Sequence, residues 1–584
     1  NVKYNKNWLS KGYISIIRNN WHILSYRQIT QLLGISKEKL AFILKEDDFL
    51  DVKLGSFKPY VTEPQYSPLN NEQKEQTKKI KEIVELNYIP YQKQPFDFFD
   101  NNISKSNSLK DETIKERIIY SYFALYGDSL KCEDNQSYPD YLLEKYAALN
   151  INGIWLQGLL YQLSEYPFDK NLSKGYQTRR KNLNKLIQRC KKYGIKVYLY
   201  LNEPRAMNEA FFDGKKDIKG AQYDGLYSLC TSKKVVQDYL YNSVKELFCT
   251  CPDLGGLITI TMSENLTHCY SKSYDGKCNC PVCKDRKAEE VAAEINNIFY
   301  NAVKDSGSKA KVIANLWGWD EFMKWDIEKT KKGISLLDKN IDIMLISENS
   351  MKINKGKVQN TIIDYSISNV GPSQRSQVLF KYAKQEGHNI FAKVQINNSW
   401  ECSAVPYIPV FNLIKRHIDN LKNLNIDGLM LSWTLGGYPG GGLEYISNSY
   451  GSDNFNEDNW YKDTFGNDYI DIKKAVTLFS KAFESFPFDI DFLYNGPQNM
   501  GSGNLWYAED TGLKSTMVGF PYDDINGWKG VYSKEILTKQ LKKLSEKWEK
   551  GIDILNNIKT GNEKTFEIKT IANACYAHFN SSYL

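Results

Sequence analysis

The segment Leu257–Asn265, Leu-Ile-Thr-Ile-Thr-Met-Ser-Glu-Asn, begins as an apolar, β-branched run and ends abruptly in polar residues. A continuous apolar run of this kind is typical of a buried parallel strand. In a (β/α)8 barrel the catalytic groups stand at the carboxyl ends of the strands. We therefore predict that Glu264, with the amide of Asn265 beside it, transfers a proton to a substrate. The alternative is a strand-end carboxylate that caps the next helix.

Similar apolar segments recur between residues 116 and 450, and amphipathic helical stretches separate most of them. Alternating strands and helices predict a parallel sheet, and eight such units predict a closed α/β TIM barrel. Two doubly wound domains are the alternative, but no glycine-rich phosphate fingerprint follows the first segment. The predicted strands are Arg117–Leu125, Gly153–Gln157, Lys196–Leu201, Gly256–Met262, Lys311–Leu316, Ile341–Ser347, Asn389–Gln395 and Gly428–Trp433.

The 584 residues are enough for a barrel with flanking regions on both sides. We predict an N-terminal α/β accessory region over residues 1–115, a catalytic barrel over 116–450 and a mainly helical C-terminal region over 451–584. Two C-terminal helices are predicted at Ile470–Phe486 and Lys534–Ile558, and the region's length suggests that it packs on the barrel.

Charge and composition exclude several classes of partner. The net charge of +7 is spread over 76 basic and 69 acidic residues without a basic stripe, so we predict no nucleic-acid partner. No apolar run approaches the roughly 20 residues that span a bilayer, so we predict no membrane partner. The 40 Tyr and 12 Trp suit a sugar-binding cleft, because aromatic faces pack on pyranose C–H groups, although they also fill cores.

Amide, carboxylate and Trp side chains follow most of the predicted strands, which is a pattern suited to a glycan. Trp faces hold the apolar side of a sugar, amides bind hydroxyls and two carboxyls cleave the glycosidic bond. The predicted substrate-binding residues are Trp155, Gln157, Glu203, Asn265, Trp317, Trp319, Gln395, Asn397, Trp400, Glu401, Trp433 and Tyr438.

The best candidate pair of catalytic carboxyls is Glu264 and Glu348. An apolar strand would raise the pKa of Glu264, which suits a general acid. Glu348 is predicted to be the nucleophile, or the group that stabilises the oxocarbenium ion; a helix N-terminus or a salt bridge is its alternative role. Glu401 and Glu203 are substitutes for this second role, and Asp320 is a weaker one.

A cluster of cysteines follows Glu264 along the chain. Cys269, Cys278, Cys280 and Cys283 lie within 15 residues, a spacing that predicts a tetrahedral structural zinc. His268 could replace one ligand, and a disulfide pair is the alternative. The C-P-x-C knuckle and the other scattered cysteines favour reduced thiols, and with them a cytoplasmic over a secreted location. We predict that zinc holds the loop after Glu264, and we predict no organic cofactor.

The layout of residues 116–450 resembles the barrel glycoside hydrolases of the β-N-acetylhexosaminidase type, family 20 and its relatives. The resemblance implies that Glu264 is the general acid after strand four and that Trp433 closes the sugar pocket after strand eight. The segments Ser263–Cys269, Trp400–Pro406 and Trp433–Tyr438 also resemble a group of bacterial hydrolase-like sequences that supplies no activity.

The sequence departs from family 20 at one position of this motif. Ser263 stands where the family has an aspartate that orients the acetamido group of the substrate as an internal nucleophile. Either another carboxylate, such as Glu348, orients that group, or the reaction is a double displacement through Glu348 or Glu401. A sugar without an acetamido group is equally compatible.

The sequence therefore predicts a glycoside hydrolase that removes terminal sugars, foremost β-linked N-acetylhexosamine, from a glycan. Two alternatives stay open. One is a carbohydrate-binding barrel without catalysis. The other is a metal-dependent barrel hydrolase or deacetylase, which needs His or Asp ligands at strand ends, where His268 alone among the five His adjoins a predicted site.

Overall fold

The structure is a computed structural model that describes residues 12–47, 50–55, 57–61, 63, 66–87, 112–123, 129–131, 137–263, 265–451, 455–497, 510–517, 523–559 and 561–584. The chain divides into two compact units, Asn1–Lys105 and Ser106–Leu584. Within the described ranges, every helix is too short or too polar to cross a lipid bilayer.

The regular secondary structure described in the first unit is all helical, although we predicted an α/β region. Its apolar residues recur with helical spacing, and serines cap two of the helices: Ser25 Oγ accepts from Gln28 N and Ser36 Oγ accepts from Lys39 N. Gly34, at a φ of 63°, ends the second helix. The helices are Tyr13–Asn20, Tyr26–Leu33, Lys37–Glu46, Leu50–Lys53 and Asn71–Asn87.

The second unit contains all the strands found in the described residues. In chain order they are β1 Glu116–Ile119, β2 Gly153–Gly158, β3 Lys196–Leu201, β4 Met207–Asn208, β5 Lys219–Tyr223, β6 Leu226–Leu229, β7 Gly256–Ile260, β8 Lys311–Asn315, β9 Asp342–Ile346, β10 Lys352–Lys355, β11 Val358–Thr361, β12 Ile390–Lys393 and β13 Gly428–Met430.

Eight of these strands close into a parallel barrel in the order β1-β13-β12-β9-β8-β7-β3-β2. Each of the eight predicted strands is present, and the predicted TIM barrel is confirmed. Several predicted strands extended too far at their carboxyl ends, because the apolar and aromatic run continues after the strand pairing stops. Arg117–Leu125 was predicted, for example, whereas β1 ends at Ile119.

The barrel interior is filled by large side chains that alternate along the strands. Gly428 makes room for one of them, because a Cβ there would lie 2.2 Å from Cε1 of Phe391. The interior cluster comprises Ile118, Trp155, Tyr198, Tyr200, Ile258, Ile260, Ile313, Met344, Phe391 and Met430.

Helices cover the outside of the barrel, and two small sheets interrupt the alternation. The antiparallel sheet β4-β6-β5 follows β3, and the hairpin β10–β11 follows β9. The helices between the barrel strands are Asp140–Ala148, Leu160–Leu163, Tyr176–Lys191, Lys234–Thr250, Ala288–Asp305, Ile327–Ser335, Gln374–Gln385 and Phe411–Lys422.

The C-terminal region is mainly helical, as predicted. Phe479 stacks on Trp548 with ring centroids 4.4 Å apart, and Arg416 of the barrel pairs with Glu484 at 3.0 Å. The helices after β13 are Gly442–Ile446, Glu457–Phe465, Tyr469–Phe483, Ile490–Asn495, Ile525–Trp528, Lys534–Asn557 and Glu563–Tyr583.

Candidate active site

Aromatic rings form a floor at the carboxyl end of the barrel. Trp433, just after β13, stacks on Trp155 of β2 with centroids 4.8 Å apart and an interplanar angle of 23°. Tyr200 meets the Trp433 ring edge-on at 5.0 Å, and Tyr120 lies 4.3 Å from Trp155. Trp155 is only 2% exposed, whereas Trp433 is partly exposed. The aromatic floor of Tyr120, Trp155, Tyr200 and Trp433 thus presents one accessible indole.

A lysine and an aspartate lie beside this floor. Lys393 Nζ, at the end of β12, is 4.1 Å from the Trp433 ring centroid and 3.7 Å from Asp364 Oδ1. The Asp364 side chain is 13% exposed. Burial raises the pKa of Asp364, whereas the Lys393 cation and a hydrogen bond from the Trp317 side chain lower it. A partly exposed carboxyl with a perturbed pKa beside aromatic rings is suited to proton transfer or charge stabilisation.

The sequence analysis missed both Lys393 and Asp364. Lys393 had a usable signal: it is a charged residue at the end of the apolar strand Ile390–Lys393, and buried lysines are rare unless they are paired. Asp364 had none, because it follows the β10–β11 hairpin and is not adjacent to a barrel strand.

Three amides at the same end have unmet hydrogen-bonding capacity. Asn202 and Asn315 lie two residues after Tyr200 and Ile313, so alternation directs them toward the barrel axis. Within the described residues, Asn202 Oδ1, Asn315 Nδ2 and Asn265 Nδ2 are buried without a hydrogen-bond partner. Native proteins rarely leave such atoms unpaired, so a polar ligand or water is expected to bind them.

The predicted substrate-binding residues at this end of the barrel include Trp155, Gln157, Asn265, Trp317 and Trp433. Gln157 is partly buried and lies two residues after the inward-facing Trp155. Trp317 packs against the interior cluster and donates to Asp364.

Of the two predicted catalytic glutamates, the structure describes only Glu348. Glu264 lies outside the described residues. Glu348 is fully buried, with Oε1 3.2 Å from His417 Nδ1, while His417 Nε2 lies 2.6 Å from Ser347 Oγ. Burial raises the pKa of Glu348 well above its usual range and lowers the pKa of His417 to about 3. Both shifts favour the neutral forms of Glu348 and His417.

The other predicted glutamates make structural hydrogen bonds. Glu401 is fully buried and accepts from Ser366 Oγ, Ile367 N and Ser399 Oγ, each at 2.7 Å. Glu203 Oε1 accepts from Leu160 N at 2.7 Å, at the start of a short helix. These contacts hold loops in place, and a role of Glu203 or Glu401 with substrate stays a prediction.

Two predicted amides support the loops around Trp433. Gln395 Oε1 accepts from Trp433 N at 2.5 Å, and Gln395 Nε2 donates to Asn398 O at 2.8 Å. Asn397 Nδ2 donates to Tyr438 O at 2.7 Å. Gln395 thereby fixes the backbone position of Trp433.

The remaining predicted aromatics are packed away from this floor. Trp319 is 1% exposed, donates from Nε1 to Thr261 Oγ1 at 3.1 Å and packs on Trp325 at 4.6 Å. Trp400 and Tyr438 are also buried, against Tyr494 and Tyr407 respectively, with centroids 5.8 Å apart in each pair. Their substrate contacts likewise stay predictions.

The cysteine-rich loop gathers a different set of thiols from the one predicted. The ligand atoms of Cys230, Cys269, Cys280 and Cys283 all lie within 4.8 Å of one another, and all four residues are buried. Cys278 is outside this group; its Sγ accepts from Cys280 N at 3.4 Å. The sequence could not reveal Cys230, because it follows β6 in the sheet inserted after β3, far upstream along the chain.

No protein-family model matches the sequence, and no curated protein matches it. Solved structures match at low identity. A GH138 enzyme targeting pectin rhamnogalacturonan II matches at 12% identity with a TM-score of 0.47 over 82% of this chain, which spans 58% of that enzyme. An O-GlcNAc hydrolase mutant from Thermobaculum terrenum matches at 9% identity and a TM-score of 0.37, with 80% of this chain and 83% of that one covered.

A β-N-acetylhexosaminidase from Bacteroides fragilis matches at 12% identity with a TM-score of 0.35, covering 60% of this chain and 69% of that one. At these values the likeness says nothing about the substrate of the present chain. The barrel itself rests on the strand pairing described above.

Proposed function

We propose that the protein is a glycoside hydrolase whose active site is the carboxyl end of the barrel. The observation that carries the proposal is the partly exposed Trp433, which Lys393 links to Asp364. The same end of the barrel holds amide atoms without a hydrogen-bond partner among the described residues. A sugar has an apolar C–H face and a rim of hydroxyl groups. The Trp433 indole can pack on the face, and the amides and Asp364 can bind the hydroxyl groups. A concave apolar surface with a few convergent polar groups is also the usual form of a small-molecule site.

In this proposal, the sugar ring stacks on the exposed indole of Trp433. Asn202 and Asn315 bind ring hydroxyls through the amide atoms that have no partner among the described residues. Lys393, held between the Trp433 ring and Asp364, keeps the carboxylate in place and offsets its burial. The free-energy gain comes from satisfying polar atoms that are otherwise desolvated without a hydrogen bond.

Hydrolysis of a glycosidic bond requires two carboxyl groups. We propose that Glu264 donates a proton to the leaving glycosidic oxygen, as its place after β7 predicted. We assign the second role, stabilising the oxocarbenium-like transition state, to Asp364 and not to Glu348, because Asp364 is partly exposed and Glu348 is fully buried. The role includes either direct attack on the anomeric carbon or orientation of an acetamido group that attacks it.

The substrate we propose is a terminal β-linked N-acetylhexosamine of a glycan. Its support is the layout of residues 116–450, with Glu264 after strand four and Trp433 after strand eight, which resembles the β-N-acetylhexosaminidase type. Both the gluco and the galacto sugar belong in the test.

The experiment is a screen of nitrophenyl glycosides, α and β, with and without the N-acetyl group, using the wild type and Glu264→Gln. We expect release from a β-N-acetylhexosaminide, and a decrease of about 10²–10⁴-fold in the variant, since general acid catalysis contributes that much. Binding of the same sugar by Glu264→Gln should persist. Binding of sugars by the wild type without turnover on glycosides or larger glycans would contradict the proposal and leave a carbohydrate-binding barrel.

A further inference from the structure

We propose that Cys230, Cys269, Cys280 and Cys283, here called the thiol cluster, bind a structural zinc ion that joins the β4-β6-β5 sheet to the loop after β7. The inference does not depend on the proposed hydrolase activity. It differs from the prediction from sequence in one ligand, since Cys230 takes the place of Cys278.

The spacing of the sulfurs fits a tetrahedral metal better than it fits a disulfide. Cys230 Sγ lies 3.6 Å from Cys283 Sγ and 3.7 Å from Cys280 Sγ. A tetrahedral zinc with Zn–S bonds of about 2.3 Å places its sulfurs about 3.8 Å apart. A disulfide requires a separation of about 2.05 Å, and all four cysteines have free thiols.

The local backbone brings the four thiols together from two segments. Cys230 comes directly after β6, and its N donates to Ile218 O at 2.8 Å. Cys280 and Cys283 occupy a tight turn in which Cys283 N and Lys284 N both donate to Cys280 O. Gly220 of β5 permits the close approach of the loop, because a Cβ there would lie 2.9 Å from Cys269 Sγ and 2.4 Å from Ser228 Oγ.

Two hydroxyl groups next to the cluster are arranged to stabilise thiolates. Ser228 Oγ accepts from Ala221 N at 3.0 Å and lies 3.5 Å from Cys269 Sγ. Since this oxygen already accepts from an amide, its own proton is available to the sulfur.

The second hydroxyl, Ser232 Oγ, accepts from the Arg286 guanidinium at 2.5 Å and lies 3.2 Å from Cys283 Sγ. Its proton is likewise available to a sulfur, and Arg286 places positive charge behind it. Such outer-shell partners orient ligands and tune a metal site.

The charges and protons of zinc binding can be accounted for. Each thiol loses its proton to solvent as it coordinates Zn²⁺, so four thiolates and one zinc leave a site with a net charge of −2. Four protein ligands fill the tetrahedron and leave no position for a water nucleophile, which is the arrangement of a structural site. The ion would fix the loop that starts at Asn265 against the sheet inserted after β3.

The test compares Cys230→Ser with Cys278→Ser, which remove one thiol each from the same region. Zinc content is measured by mass spectrometry of the intact purified chains, and affinity by competition with a chromogenic chelator. We expect one zinc per chain in the wild type and in Cys278→Ser. We expect Cys230→Ser to weaken zinc binding by more than the roughly 10–100-fold that loss of an outer-shell partner costs.

The wild type alone supplies a second measurement, should Cys230→Ser fail to fold. Alkylation of the zinc-loaded chain should modify Cys278 and spare the thiol cluster, and chelation should expose the cluster while the buried Cys190 and Cys575 stay protected. A wild type that binds no zinc, a disulfide within the cluster, or loss of zinc in Cys278→Ser but not in Cys230→Ser would each overturn the inference.

Discussion

The amino end and the carboxyl end of the barrel hold their polar side chains in different ways. At the amino end, Glu116 accepts from Lys196 Nζ at 3.1 Å and from Tyr198 OH at 3.0 Å. There too, Asp342 accepts from Lys311 Nζ and Asn389 Nδ2, both at 2.9 Å. At the carboxyl end, by contrast, Asn202, Asn265 and Asn315 each keep a buried polar atom without a partner among the described residues.

The difference shows where the fold is stabilised and where it is prepared for a ligand. Paired carboxylates at the amino end avoid the free-energy penalty of desolvated charge, so that end can contribute to stability. At the other end, the amide atoms without a partner among the described residues cost free energy unless a ligand or water supplies a hydrogen bond. Departures from full hydrogen bonding are expected at functional sites.

The largest effect on activity is expected for Asp364→Asn. The substitution removes the partly exposed carboxylate beside Trp433 while preserving its size. We expect kcat/KM on the responsive glycoside to fall by about 10²–10⁴-fold, because charge stabilisation is lost in the transition state. The free energy of unfolding should also fall by about 3 kcal/mol, because the buried Lys393 loses its charged partner. Steady-state kinetics and urea unfolding on the same samples measure both quantities.

Glu348→Gln is the matched control for that substitution. Burial favours the neutral form of Glu348, so a neutral amide of similar shape should leave kcat/KM within about threefold. A folded Glu348→Gln chain that loses turnover by orders of magnitude, with Asp364→Asn still active, would return the second catalytic role to Glu348.

Trp433→Ala should have the next largest effect. Loss of the indole face removes about 2 kcal/mol of apolar contact with the sugar, which corresponds to roughly 30-fold in kcat/KM. Trp319→Ala, at a buried position, should instead lower the free energy of unfolding by about 3–5 kcal/mol. The kinetics of the folded variant should be unchanged. Equal kinetic losses in both variants would contradict the assignment of Trp433 as the sugar platform.

A smaller effect, visible in the pH profile, is expected for Lys393→Met. The Lys393 cation lowers the pKa of Asp364, so its removal raises that pKa further. If the reaction needs the ionised Asp364, the acidic limb of the pH profile of kcat/KM moves to higher pH. Activity at low pH then falls more than activity near the optimum. If the acidic limb of the variant lies at the same pH as that of the wild type, the limb does not report the ionisation of Asp364.

Asp342→Asn should change activity least. Its partners Lys311 and Asn389 would lose a charged acceptor, at a cost of about 1–3 kcal/mol in the free energy of unfolding. We expect unchanged kcat/KM, because the amino end of the barrel contributes to stability and not to catalysis. A kinetic loss as large as that of Asp364→Asn would erase the distinction between the two ends.

The barrel strands were predictable because they are buried on both faces, which leaves continuous apolar runs such as Gly256–Ile260 in the sequence. The pattern also placed Trp155 and Trp433 on or just after strands, but it did not single out Tyr120 and Tyr200 of the aromatic floor. The pattern does not predict the path of the chain, or the direction of its side chains, after a strand ends. Glu348 follows β9 by two residues, yet its side chain is fully buried against His417 of the helix Phe411–Lys422.

Contacts between residues far apart along the chain could not be predicted from the sequence either. Asp364 reaches Lys393 only because the β10–β11 hairpin is inserted after β9, and Cys230 reaches Cys280 from a sheet inserted after β3. Spacing along the chain identifies local motifs, whereas these contacts depend on the packing of insertions that carry no repeated pattern.

The most direct test of the central claim is a crystal structure of Asp364→Asn soaked with the glycoside that the wild type hydrolyses. We expect the sugar ring stacked on Trp433, with hydroxyl groups about 2.7–3.2 Å from Asn202 Oδ1 and Asn315 Nδ2. A sugar bound at another surface of the second unit, with the amides at the carboxyl end bonded only to water, would contradict the account.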